Sequence, residues 1–283
     1  MVINVKRIFH AIIVVLIIIL AQGLSLAASD LVKSAETIKG VQAEGSCAIV
    51  GMSDVQSQLT ALQRARASAI EQAAGVSVTS STLVTNFTVA ADFIKTYSRG
   101  FIIKEKVTWL PLGQYQKDSS VAPIPEYRVK IIVDVYIPQK TKESVGFQAR
   151  LNNTVFRSGE KATFSLKATK SARFAIFNIM ADDRVVMIFP NIHESDNLIP
   201  LGRQITYPPK DGKVELELQT MPGHQRDAEA YLIIVWDSVI DIKIMELFLM
   251  AEPMVISDFF GKLTEIADRI EDTILPYEVI EGR

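Results

Sequence analysis

The chain has 283 residues, with 30 Lys and Arg against 32 Asp and Glu, a formal net charge of −2 and a single cysteine. This length suits two ordinary domains or one large one. The near balance of charge argues against nucleic acid or an anionic membrane surface as the main partner. The lone cysteine excludes an internal disulfide framework, so the fold must stand on its cores.

The first 28 residues read as an export signal. Lys6 and Arg7 form a positive start, and Ala11 to Ala21 is almost wholly Ile, Val and Leu. Gln22, Gly23 and Ser25 then soften the run, and Ser25-Leu26-Ala27 offers small residues for cleavage after Ala27 or Ala28. That is the three-part pattern of a signal peptide. The rival reading is an inner-membrane anchor over residues 8–28, since ~20 apolar residues span a bilayer. Cys47 lies far beyond the apolar run, which excludes a lipid-attachment site. Export to the periplasm or beyond is expected under either reading.

Residues 29–39 read as a lead-in, with order expected from Gly40. Val41, Ala43, Gly45, Cys47 and Ile49 then alternate with polar residues, the period of a half-buried strand. Cys47 accordingly points inward, as a small buried hydrophobe rather than a reactive thiol. A helix follows, capped by Ser53 or Asp54 and stopped by Gly75, with Val55, Leu59, Leu62, Ile70 and Ala73 as its apolar stripe. Arg64 and Arg66 are expected on its solvated face. Val76–Val84 reads as extended and Val89–Ser98 as a short helix. A strand with Phe101, Ile103, Val107 and Trp109 on one face is expected next, then a loop over Pro111–Glu126. The clearest strand runs from Tyr127 to Ile137, and the two should pair as a long hairpin. Residues 40–138 thus predict a small antiparallel sheet carrying a long helix.

The charged stretch 139–144 marks the domain boundary. Strands are expected over Lys161–Ala168, Arg173–Met180, Arg184–Phe189, Gln204–Tyr207, Lys213–Gln219 and Tyr231–Asp237, with Asp182-Asp183 as a tight turn. Short strands with no helix between them indicate a β-sandwich over 145–240. The segment 241–283 is expected to be helical: Ser257 as cap, Phe259, Phe260, Leu263, Ile266, Ile270 and Ile274 as stripe, Pro276 as stop. The fold class is therefore α+β: a sheet with a long helix, then an all-β sandwich and a C-terminal helix.

Two resemblances follow from these residues. AEGSCAIVG, EQAAGVSV, TYSRGFI and YRVKIIVDVYI, in that order, resemble the N-terminal domain of the flagellar assembly protein T family. That resemblance implies a periplasmic component of an envelope assembly, although the chain lacks the middle region of the flagellar protein. LNNTVFRSGEKATFSLKATKSARFAIFNI, VVMIFPN and DNLIPLGRQITYP resemble a bacterial domain of unknown function. Its signature falls here on Phe189, Pro190 and Asn191, then Asp196, Asn197 and Gly202. That resemblance implies an accessory sandwich and carries over no catalytic residue and no cofactor.

The chain holds no HExxH, G-x-S-x-G, Walker loop, G-x-G-x-x-G or CxxC. One stretch draws attention as a site. Asn191, His193, Glu194, Asp196 and Asn197 are all oxygen or nitrogen donors, beside the Asp182-Asp183 turn. They suit a Ca²⁺ ion, but loop chemistry, in which Asn and Asp bond their own backbone, is the expected reading. The functional expectation is a non-enzymatic envelope protein that binds a protein partner. The alternatives are a glycan or small-ligand binder, with Trp109, Tyr207 or Trp236 as stacking surface, and a hydrolase with a scattered site.

Overall fold

The computed structural model describes residues 35–75, 100–116, 118–138, 144–248 and 252–282. The leader with Ala27 and Ala28, the segments expected over Val76–Val84 and Val89–Ser98, and most of the 139–144 boundary lie outside the described residues.

The elements run β1 (Glu36–Ala48), α1 (Asp54–Ala74), β2 (Phe101–Trp109), β3 (Gly113–Tyr115), β4 (Ile124–Ile137), β5 (Gln148–Leu151), β6 (Val155–Arg157), β7 (Lys161–Ala162) and β8 (Phe164–Lys167). They continue with β9 (Ala172–Ile179), β10 (Arg184–Phe189), β11 (Leu198–Ile199), β12 (Gln204–Tyr207), β13 (Leu216–Glu217) and β14 (Arg226–Asp237). The chain closes with α2 (Ile244–Leu247), β15 (Met254–Val255), α3 (Ile256–Leu263) and β16 (Glu271–Ile280). The α+β class expected from the sequence is the one observed.

In the first sheet β4 lies between β1 and β2, all antiparallel, with β3 also on β4. The alternation of β4 sends Val129, Ile131, Val133 and Val135 inward, where all four are buried. Strand β1 begins at Glu36, ahead of the expected Gly40. The register slips between Ile38 and Val41, where the Gly40 N–H donates to Asp134 Oδ1 at 3.0 Å. The loop expected over Pro111–Glu126 contains β3 and the start of β4.

Helix α1 starts on a capping box, in which Ser53 Oγ accepts from the Gln56 N–H and Gln56 Oε1 accepts from the Ser53 N–H. It ends on Gly75 at φ 69°. Its packing face differs from the expected stripe. Val55 is 67% exposed, while Ser57, Ala61, Ala65, Arg66, Ala69 and Ile70 are buried. The cause is a close approach to β1. A Cβ on Gly45 would stand 2.1 Å from the Ala61 carbonyl oxygen and 2.6 Å from the Ala65 nitrogen. Only small side chains fit between a helix and a strand that near.

The second half is a sandwich. Its larger sheet runs β15-β10-β9-β14-β16-β6, with β11 on β9. The smaller runs β12-β8-β5. Between them lie Phe164, Phe174, Phe189, Tyr207, Tyr231 and Tyr277, all buried. Strand β14 is buried on both faces, hence its near-continuous apolar run.

The C-terminal helix is shorter than expected. α3 stops at Leu263, its N-cap is Val255 without a side-chain bond, and residues 271–280 pair with β14 as a strand. Tyr277 and Val279 alternate into the sandwich core, a period of two that the helical stripe had masked. Pro276 is tolerated because the outer neighbour β6 pairs only from Glu278 onward, leaving that side of the strand open.

Residues 35–283 form one compact unit. The outer face of the larger sheet, α2, α3 and the first sheet share one core, with Phe101 stacked on Phe260 at 5.0 Å. The two expected halves share this core, with α3 packed against both the first sheet and the larger sheet of the sandwich.

Candidate functional site

The signature residues come together, and each has a structural task. Phe189 closes β10 and lies 4.7 Å from the Phe174 ring and 4.3 Å from Tyr207. Pro190 follows through a cis peptide bond. Asn191 Oδ1 accepts from the N–H groups of His193 and Glu194, both at 2.9 Å, and its amide donates to the Ile188 carbonyl at 3.0 Å. Asp196 Oδ1 accepts from the Leu198 N–H at 3.3 Å. Asn197 is buried, donating to the Phe174 carbonyl at 3.0 Å and accepting from Arg173 Nη1 at 2.9 Å. Gly202 takes φ 68° at the turn that returns to β12. Glu194 reaches outward to cap the Lys213 N–H at 3.1 Å. The side-chain oxygens of Asn191 and Asp196 thus serve the loop's own N–H groups. Among the described residues no group of three or more His, Cys, Asp or Glu is placed to hold a metal ion. The Asp182-Asp183 turn does not join this loop.

Asp183 instead belongs to a buried charge centre that sequence reasoning missed. Arg66 is 3% exposed, not solvated. Its Nε and Nη2 donate to the two Glu105 oxygens at 2.7 and 2.6 Å, and Nη1 donates to Asp183 Oδ2. Helix α1, strand β2 and the β9–β10 turn meet there. Burial pushes the Asp183 carboxyl up against the pull of Arg66. The same turn is gripped from the sandwich by Glu229, which accepts from the Ala181 N–H at 3.3 Å, from Asn178 Nδ2 at 3.1 Å and from Tyr277 Oη–H at 2.5 Å. Burial also raises the Glu229 carboxyl and the Tyr277 phenol.

Cys47 is buried, and burial pushes its thiol up, which disfavours the thiolate. Arg64 donates to the Ser46 carbonyl at 2.7 Å. His224 Nδ1 lies 2.6 Å from Asp227 Oδ1, and Asp227 Oδ2 accepts from the Met221 N–H, so the pair closes a turn. Of the three aromatics considered for stacking, Tyr207 and Trp236 are core residues and Trp109 is 44% exposed.

Two surface features remain. The first is the end of the first sheet where β1 finishes and β4 begins. The Ile49 N–H donates to the Pro125 carbonyl at 2.9 Å and the Leu110 N–H to the Arg128 carbonyl at 3.0 Å, which ties the segments after β1 and β2 to β4. Val50, Trp109, Leu112 and Val121 are exposed there by 56, 44, 60 and 43%. Trp109 leans edge-on to Tyr127 at 6.4 Å. The second is a cleft of about 400 Å³ between the signature loop and residues 238–246, bordered by Arg173, Pro190, Asn197, Trp236, Val239 and Met245.

A family model described as a domain of unknown function (DUF4384) matches residues 155–227. No curated protein matches the chain. The match takes in the whole signature loop and stops as β14 begins, so the middle strand of the larger sheet lies almost entirely beyond it. The second half of this chain is thus similar, over residues 155–227, to that domain of unknown function.

Proposed function

We propose that this chain is an exported, non-enzymatic interaction module of the cell envelope, which docks a protein partner on the apolar end of its first sheet. The observation that carries the reading is the exposure of four large apolar side chains, Val50, Trp109, Leu112 and Val121, in the segments at that end of the sheet. A gathering of large apolar side chains on a surface marks a contact site. The leader supports export, and the resemblance of the first sheet and helix to the flagellar assembly protein T family supports an assembly role. The tip stands at the end of β1 opposite Glu36.

A photo-crosslinking residue at Leu112 in intact cells is expected to capture one defined envelope protein. The same residue at Val55, exposed on the outer face of α1, serves as control. Recovery of the monomer alone from Leu112 would defeat the reading. Sequencing the mature N-terminus decides between release, with a start at Ala28 or Ser29, and an anchor, with Lys6 and Arg7 intact.

The cleft favours a second reading, a small-ligand binder. Its volume of about 400 Å³ falls within the range of small-molecule sites.

A further inference from the structure

Strand β2 stands at an edge of the first sheet. The order is β1-β4-β2, so among the described residues β2 bonds to β4 alone. The direction of its main-chain groups follows from the ladder. The Leu110 N–H donates inward to the Arg128 carbonyl, and an antiparallel ladder alternates between inward and outward residues. Thr108 and Lys106, paired in the same register with Lys130 and Ile132, therefore bond inward as well. The N–H and C=O groups of Glu105, Val107 and Trp109 point outward, away from β4. Among the described residues nothing beyond β4 meets the main chain of Val107 or Trp109.

The opposite edge is guarded. There the Ile49 N–H bonds inward to Pro125, so Ser46 turns its carbonyl outward, and Arg64 Nη1 occupies that carbonyl at 2.7 Å. Strand β1 is also bent by its register shift between Ile38 and Val41.

The side chains of β2 set the chemistry of an occupant. Phe101 and Ile102 are buried, with Phe101 against Phe260 of α3, but Lys106 to Trp109 are exposed on both faces of the strand. Val107, 37% exposed, and Trp109 lie on the α1 face, opposite Ile131 and Val129. Lys104, Lys106 and Thr108 lie on the other face. There Asp134 stands across from Lys104 and Glu44 across from Lys130, while Lys106 faces Ile132 and is left unmatched.

We infer that β2 takes up an extended segment of a protein partner as an added strand. The segment bonds main chain to main chain at Val107 and Trp109, lays apolar residues over those two side chains and sets an acidic residue beside Lys106. An extended chain offers donors and acceptors at the spacing that a strand edge presents. A second copy of β2 is a poor occupant, because it would bring two sets of Lys104 and Lys106 onto one face, and like charges across a sheet repel. The inference rests on the partner reading proposed above and says how the partner is held.

The test follows main-chain amide exchange in the full mature chain by NMR, with acetyl-Val-Glu-Val-Glu-Val-amide as the probe at millimolar concentration. The Val107 and Trp109 amides are expected to exchange freely in the chain alone and to slow saturably with the peptide. Those of Lys106 and Thr108, already bonded to β4, should hardly change. Val107→Pro removes an outward donor and no ladder bond, at a position where an edge strand accepts proline, and should abolish the protection at Trp109. Lys106→Glu should weaken binding roughly fivefold, and a probe with Lys in place of Glu should restore it. Slow exchange at Val107 and Trp109 before any peptide is added would mean that the edge is already paired and would overturn the inference. A shift of the Trp109 indole signal without slower amides would overturn strand addition and leave the docking site proposed above in place. Slower amides together with recovery of the monomer alone from the Leu112 crosslink would support the edge as a strand acceptor and sink the envelope-partner reading.

Discussion

Between the sandwich sheets the buried side chains are Phe164, Phe174, Tyr231 and Tyr277, each with other rings for neighbours. Between α1 and the first sheet they are Ala61, Ala65 and Ala69, laid against Gly45. The first core is filled by rings that can tilt. The second is set by backbone contact, where no side chain can give way. A charge is buried at the edge of the close-packed region, because Arg66 runs from α1 to Glu105 and to the β9–β10 turn of the sandwich. The comparison teaches that the junction between the halves is the less forgiving part of the molecule.

The largest test is removal of that charge. Arg66→Met leaves two carboxylates facing each other out of water, and breaking a buried pair in this way costs about 3–5 kcal/mol. Urea unfolding of the variant should show a loss of that size. The triple variant with Glu105→Gln and Asp183→Asn should recover most of it. A loss under about 1 kcal/mol would mean that the guanidinium is not holding the junction.

Gly45→Ala comes next. The added methyl meets the Ala61 carbonyl and the Ala65 nitrogen, neither of which can rotate away. Overpacking of this kind costs about 1–3 kcal/mol, and the upper end is expected here. A single methylene added in the ring-lined sandwich, as in Val235→Ile, should cost less. If both cost the same, the contrast between the two cores fails.

Asn197→Ala probes the signature loop. It strands the Phe174 carbonyl and removes the acceptor of Arg173, for a loss of about 2 kcal/mol in thermal unfolding. The exposed neighbour Asp196, with one bond at 3.3 Å, should tolerate alanine better.

These residues also mark what the sequence makes legible. The alternation of Val129 to Val135 announces β4 because a strand half in water must alternate. The cap at Ser53 and the stop at Gly75 are local chemistry and read directly. Arg66 is not legible. A mid-helix arginine looks the same whether it faces solvent or partners that lie 39 and 117 residues away in the chain. The small-residue face of α1 hides for a related reason, since alanine suits a helix in any environment. The strand at 271–280 was masked because Ile266, Ile270 and Ile274 keep helical steps, although the chain turns into β16 at Glu271. In the signature loop the residue types are apparent, but their use in turn bonds is not. The cleft lies between two loops more than forty residues apart.

The smallest effect expected, and the one that separates the two grips on the β9–β10 turn, belongs to Glu229→Gln. Burial raises the folded-state value of Glu229 above that of the unfolded chain. The folded state then binds more protons than the unfolded state between those two values, so stability falls as pH rises through that window. The full contribution is present below the ordinary glutamate value of about 4.3 and is lost at higher pH. Glutamine carries no proton to lose. It keeps an acceptor for the Tyr277 hydroxyl and gives up the bond from the Ala181 N–H, so the change in stability near neutrality is small. The slope is what moves: a series of urea midpoints from about pH 4 to about pH 8 should fall less steeply for the variant. Asp183 and Glu278 are raised with the same sign, so some slope remains in the variant. An unchanged slope in Glu229→Gln would place the pH dependence on Asp183 and Glu278, and the inner grip would then be a hydrogen-bonding contact without a buried charge.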